Sequence, residues 1–105
     1  MEDSFGGFVG FQWDRGNSNK NLLKHNVQNW ECEQVFFNKP LFVLEDSGHS
    51  VAEKRWAGFG KTDSGRPLVV IFTKRGHLLR VISARDMNSK ERKFYEENEE
   101  KNSEF

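Results

Sequence analysis

Three arginines, Arg55, Arg80 and Arg85, and one carboxylate, Glu53, are the side chains in this 105-residue chain best suited to work on a phosphate. A guanidinium stays ionised, is planar and grips two phosphate oxygens at once, so it can neutralise charge that develops on phosphorus. The three lie in a basic stretch. From Lys54 to Lys93 there are eleven Lys or Arg against three acids, within a chain whose 16 basic and 16 acidic residues cancel. The acids gather elsewhere, in Glu31 and Glu33, in Glu45 and Asp46, and at the two ends, where the tail alone holds Glu96, Glu97, Glu99, Glu100 and Glu104. A molecule polarised in this way has a polyanion as its natural partner. Ordinary surface ion pairs, worth roughly 0–1 kcal/mol each, do not account for so many cations in one half.

Proton transfer needs different groups. Glu53 and Arg55, two residues apart, share one face of an extended strand, so a neighbouring strand carrying Arg80 brings an acid and two cations to one surface, with Glu53 as a base. His25 competes for that role because its ordinary pKa lies nearest neutrality. It sits at a helix end from which it either reaches the sheet or makes a structural hydrogen bond. Along a regular strand Arg80 and Arg85, five residues apart, point to opposite faces. The weak strand formers Ser83 and Ala84 place the strand's end before Arg85, which then turns into the site. Lys24, Lys54 and Arg92 add cations suited to a nucleic-acid backbone, while Tyr95 either stacks on a base or packs into the core beside Phe94.

The same residues exclude other chemistry. A single cysteine, Cys32, cannot form an internal disulfide, and the flanking Glu31 and Glu33 keep it a thiol. His25, His49 and His77 are too far apart for zinc-site spacing, so no metal or other cofactor is expected. The longest aliphatic run, residues 68–72, is far short of a membrane span, and the acidic N-terminus is unlike a secretory signal. These features place the chain in the cytoplasm, away from membranes.

The elements that must position these groups are short. Residues 8–13 read as a strand, 14–17 as a turn, and 18–25 as a helix ended by Asn26 in left-handed conformation. A second helix carries Trp30, Val35, Phe36 and Phe37 behind an Asn29 cap and stops at Pro40. Strands follow over 41–44, 53–61, 67–74 and 77–85, the last three joined by tight turns at Asp63-Ser64-Gly65 and Lys74-Arg75-Gly76 into an antiparallel meander. Residues 68–72 are apolar at every position, as in a strand covered on both faces or lying mid-sheet. Asn88 with Glu91 caps a closing helix. The sum is an α+β domain over residues 1–97, an antiparallel sheet of four to five strands with two N-terminal helices packed on it and a C-terminal helix, followed by an acidic tail over 98–105 that frays.

The order of the pieces carries a resemblance. Phe11-Gln12-Trp13-Asp14 followed by Asn21-Leu22-Leu23-Lys24-His25-Asn26-Val27 resembles the opening of the BrnT toxin family. So do His49-Ser50 with Glu53 and Arg55, Gly65-Arg66 before Leu68-Val69-Val70, Arg80-Val81-Ile82-Ser83-Ala84-Arg85, and Glu91-Arg92 with Tyr95-Glu96. The chain departs from the family at Asn17, usually Lys, at Asn26, usually Gly, and at Asp86 and Met87, where a basic residue and Ala are common. The resemblance implies a RelE-like fold and a metal-independent endoribonuclease, the toxin of a type II toxin-antitoxin system. It implies a cognate BrnA-like antitoxin bound in a hetero-oligomer, with DNA touched only through that antitoxin. In such cleavage the RNA's own 2'-hydroxyl attacks the adjacent phosphate. One proton is removed, another is supplied, and Arg55, Arg80 and Arg85 hold the charge between them. The alternative is a non-catalytic nucleic-acid-binding or antitoxin-binding module.

Overall fold

The computed structural model describes residues 7–46 and 53–102, so the ends of the chain, including Glu2, Asp3 and Glu104, and the His49-Ser50 piece of the resemblance lie outside the described residues. The described chain runs β1 (Gly10–Phe11), α1 (Lys20–His25), α2 (Asn29–Phe37), β2 (Phe42–Glu45), β3 (Trp56–Lys61), β4 (Pro67–Arg75), β5 (Leu78–Asp86) and α3 (Ser89–Asn102). The strands form one sheet in the order β1-β5-β4-β3-β2. Gly65 (φ 90°) and Gly76 (φ 62°) occupy left-handed backbone at the two hairpin turns, where a side chain would strain the chain.

β4 is the central strand, and its uninterrupted apolar run is explained by burial on both faces. Leu68 and Val70 point to one side, into a cluster with Val27, Cys32, Val35, Val81 and Ala84 beneath α1 and α2. Val69 and Ile71 point to the other, towards Phe59, Met87 and the Tyr95 of α3. Leu68, Val69, Val70 and Phe72 are each at most 1% exposed, and fully burying such a side chain contributes roughly 1.5–3 kcal/mol. Phenylalanines serve both layers. Phe36 meets Phe72 edge-on at 4.9 Å below α2, whereas Phe42 lies 5.4 Å from Tyr95 below α3.

The helices are seated by specific residues. A Cβ on Gly60 would stand 2.9 Å from Val35 Cγ1, so only glycine there lets α2 lie so close to β3. Asn21 of α1 is buried and its Oδ1 accepts from the Ala84 amide of β5 at 2.9 Å. Asn26 ends α1 at φ 57°, as its side-chain type suggests. At the start of α2 the capping role passes from the expected Asn29 to Gln28, whose amide donates to Glu31 Oε1 at 2.9 Å; Asn29 instead donates to Ser18 Oγ and ties the two helices together. Asn88 and Glu91 form the reciprocal cap expected of α3. That helix continues past residue 97, and its Glu99 accepts from Lys61 Nζ at 3.1 Å.

Two expectations are corrected. The sheet is mixed, not antiparallel: β1 runs parallel to β5, pairing Gly10 with Leu78 and Phe11 with Leu79. Residues 12–77 separate these strands, so no hairpin turn dictates their relative direction. β5 also does not stop before Arg85 but runs to Asp86. Its register against β4 slips by one residue, Ile71 facing Ser83 and Phe72 facing Val81, which leaves Ile82 as the extra residue of a β-bulge.

Candidate nucleic-acid interface

The bulge decides where the arginines point. Residues opposite one another in a ladder project to the same side of a sheet. Arg85 is opposite Val69 and Arg80 is opposite Thr73. Val69, Ile71 and Thr73 alternate along β4 and therefore share the α3 side. The unpaired Ile82 resets the alternation between the two arginines, so an odd spacing that separates faces on a regular strand joins them here. Arg55 is two residues ahead of Ala57, which pairs with Ile71. Its carbonyl accepts from Asp46 N at 2.8 Å and prolongs the ladder, so the extended chain sets Arg55 on that side too. All three arginines stand on one face, and α3 covers that face only towards Phe42, Phe59 and Val69; Ala57 and Ile71 at its margin are half-buried.

At one end of this face cations and carboxylates interleave. Arg80 donates to both Asp14 oxygens, at 2.7 and 3.1 Å, and to Gln12 Oε1 at 3.3 Å. The turn that presents Asp14 is pinned from beneath by Asn17. That buried side chain accepts from the Asp14 amide and donates to the carbonyls of Gln12 and, across the sheet, Val81. Trp13 anchors the same turn to α2 through a 2.7 Å bond from its Nε1 to Glu33. Next to this pair, Arg75 donates to both oxygens of Glu53 at 2.6 and 3.2 Å. The Arg80 hydrogen bonds hold the Asp14 carboxyl below its usual range, and the Arg75 hydrogen bonds do the same for Glu53, with the Arg55 charge assisting. Glu53 is thus placed beside Arg55 and Arg75, with Arg80 and Asp14 adjoining.

At the other end Arg85 donates to both oxygens of Glu91 in α3, at 2.8 and 3.0 Å, which lowers the Glu91 pKa. Lys90 and Arg92 are exposed on the first turn of that helix, Arg92 donating to the Met87 carbonyl and Ser89 Oγ. Tyr95 does not join them. It is 1% exposed and its hydroxyl donates to the Pro40 carbonyl at 2.6 Å, so it packs instead of stacking on a base, and burial pushes its pKa up to about 12.

His25 and Lys24 stand on the opposite side of the sheet. His25 is exposed at the end of α1, where its carbonyl accepts from Arg66 Nη2. Arg66 is a hub. It donates to both oxygens of Asp86, to Glu31, and to the backbone carbonyls of His25 and Asn26. Asp86, a departure from the family pattern, is accounted for as the principal partner of this hub, and the Arg66 hydrogen bonds lower the pKa of its carboxyl. Lys54 is exposed beside Arg55, its carbonyl accepting from Thr73. Sequence reasoning missed Asp14, Arg66 and Arg75; Asp14 was within reach, as the acid of the Trp-Asp turn.

A family model described as the ribonuclease toxin, BrnT, of a type II toxin-antitoxin system matches residues 13–91. The chain belongs to this BrnT family. The matched span takes in Asp14, Glu53, Arg55, Arg75, Arg80, Arg85 and Glu91, and ends before Arg92 and Tyr95. No curated protein matches the chain. A BrnT-family ribonuclease toxin implies an RNA substrate and an antitoxin partner. Among the described residues no helix is long and apolar enough to cross a membrane.

Proposed function

We propose that this BrnT-family chain is a cytoplasmic endoribonuclease that cuts RNA without a metal ion, and that a cognate BrnA-like antitoxin silences it by covering the basic face. The observation carrying this reading is the convergence of Arg55, Arg75 and Arg80 with Glu53 and Asp14 on one open sheet face. The RNA 2'-hydroxyl attacks the neighbouring phosphorus, and Arg80 and Arg55 grip the non-bridging oxygens as charge develops on them. One such preorganised clamp is worth about 10²- to 10³-fold in rate. Glu53 accepts the hydroxyl proton, the P–O5' bond breaks, and solvent, which takes the proton back from Glu53, protonates the departing 5' oxygen. The lowered pKa of Glu53 keeps it ionised at neutral pH but also makes it a weak base, which suits a slow toxin. His25, on the far side of the sheet, lacks that neighbourhood.

Incubating the purified protein with RNA in EDTA tests the reading. The expected products carry 2',3'-cyclic phosphate and 5'-hydroxyl ends, and Arg80→Ala reduces their formation about 10²- to 10³-fold. A protein that retards RNA in a gel without cutting it is the non-catalytic module.

A further inference from the structure

Arg80 and Arg85 share a face, but their backbones are well separated along it and their guanidinium groups turn to different carboxylates. Arg80 faces Thr73 and Arg85 faces Val69, four residues along β4, which at about 3.3 Å per residue separates them by about 13 Å. Their side chains also diverge, Arg80 towards the Asp14 turn beside β1 and Arg85 towards Glu91 in α3. Both are bidentate guanidinium–carboxylate pairs, and a phosphate offers the same paired oxygens as the carboxylate it would displace. Between them the floor is the Ile71 and Ser83 pair, with half-buried Ala57 alongside. An uncharged, half-buried strip between two phosphate grips fits the face of a base or sugar better than a charged backbone, so the nucleotides crossing it are unpaired.

We propose that Arg80 and Arg85 hold different phosphates of a single RNA strand lying along β5: Arg80 the linkage that is cut, Arg85 a flanking one. This rests on the nuclease reading and adds to it a substrate form. The span of about 13 Å corresponds to roughly four nucleotides at the 3.4 Å rise of a stacked strand, and fewer if the strand is stretched. Arg85 is then a determinant of substrate length, and Glu91 is the internal stand-in that occupies it when no RNA is bound.

The test uses oligonucleotides containing one ribonucleotide, the rest 2'-O-methylated, in lengths from two to eight. With the wild-type protein kcat/KM rises with length and levels off near four to six nucleotides. Arg85→Ala lowers the octamer-to-dinucleotide ratio of kcat/KM at least tenfold, whereas Arg80→Ala lowers both members and leaves the ratio standing. Because Arg85→Ala also removes the partner of a helix cap, the substrate is altered as well. A neutral methylphosphonate placed two to four linkages to one side of the cut reproduces the loss in wild type and adds nothing further in Arg85→Ala. Equal losses on short and long substrates, no loss on either, or equal cleavage of duplex and single strand would overturn the separate grips while leaving the nuclease intact. If wild type cuts no RNA at any length, the nuclease reading itself falls.

Discussion

Two arginine centres, alike in residue type, do opposite work in this fold. Arg66 is three-quarters buried and spends its guanidinium on the carboxylates of Asp86 and Glu31 and on two backbone carbonyls at the end of α1. Arg80 is also largely covered, yet its main partner, Asp14, is half exposed and comes from a single turn. A phosphate can replace one exposed carboxylate; it cannot replace two helix ends joined through a nearly buried Glu31. The residue type says only that an anion is bound. The acceptor set says whether that anion belongs to the scaffold or is exchangeable.

The sharpest way to break this contrast is Arg66→Ala. Loss of the hub leaves Glu31 without its cation, held by the Gln28 amide, and lowers stability by about 2–3 kcal/mol, below the usual figure for a severed buried pair because that amide remains and the Asp86 arm is half in water. Urea unfolding reads the drop; Arg80→Ala in the same experiment leaves the midpoint nearly unchanged while abolishing most cleavage. An Arg66→Ala protein as stable as the parent would erase the distinction.

Acid provides a second, smaller probe. Arg66 lowers the folded pKa of Asp86, so the stability this carboxylate supplies is complete above the ordinary carboxylate range, near pH 4, and drains away as pH falls through its lower folded value. Thermal melts from pH 5 to pH 2 therefore decline less steeply in Asp86→Asn than in wild type. Asp14→Asn flattens that slope in the same direction, because Arg80 lowers the folded pKa of Asp14 as Arg66 lowers that of Asp86.

Asp14→Asn should also show itself in binding. Removing the carboxylate that competes for Arg80 tightens RNA binding about two- to fivefold at low salt, and the gain shrinks as ionic strength rises. Fluorescence anisotropy with a short non-cleavable RNA measures it; weaker binding at every salt would mean that Asp14 positions Arg80 more than it competes with RNA. The smallest effect concerns Cys32. Burial first, then Glu31 and Glu33, raises its pKa to about 12, so at pH 8 iodoacetamide labels it only after unfolding, and rapid native labelling would contradict the packing under α2.

Much of the frame was legible because its signals are local. The glycines of the two hairpins, the left-handed Asn26, the Asn88 and Glu91 cap and the double-faced run of β4 each rest on residues a few positions apart. The parallel course of β1 was not legible, since alternation of apolar residues has no direction. Nor was the Ile82 bulge, because a skipped residue in a short strand leaves no periodic trace; it nevertheless decides that Arg80 and Arg85 share a face. The Arg66 hub joins Glu31 and Asp86 from positions 35 and 20 residues away, and such choices among many acids are made by the folded chain.

Asn17 has a consequence in time as well as in space. Its amide bridges the Trp-Asp turn to the Val81 carbonyl, 64 residues downstream, so the turn reaches its final position only when β5 arrives. During synthesis the corner that joins Asp14 to Arg80 therefore cannot assemble until β5 has emerged from the ribosome. A fragment halted before Arg80 holds Asp14 and Glu53 but lacks the guanidinium that pairs with Asp14 in the folded chain.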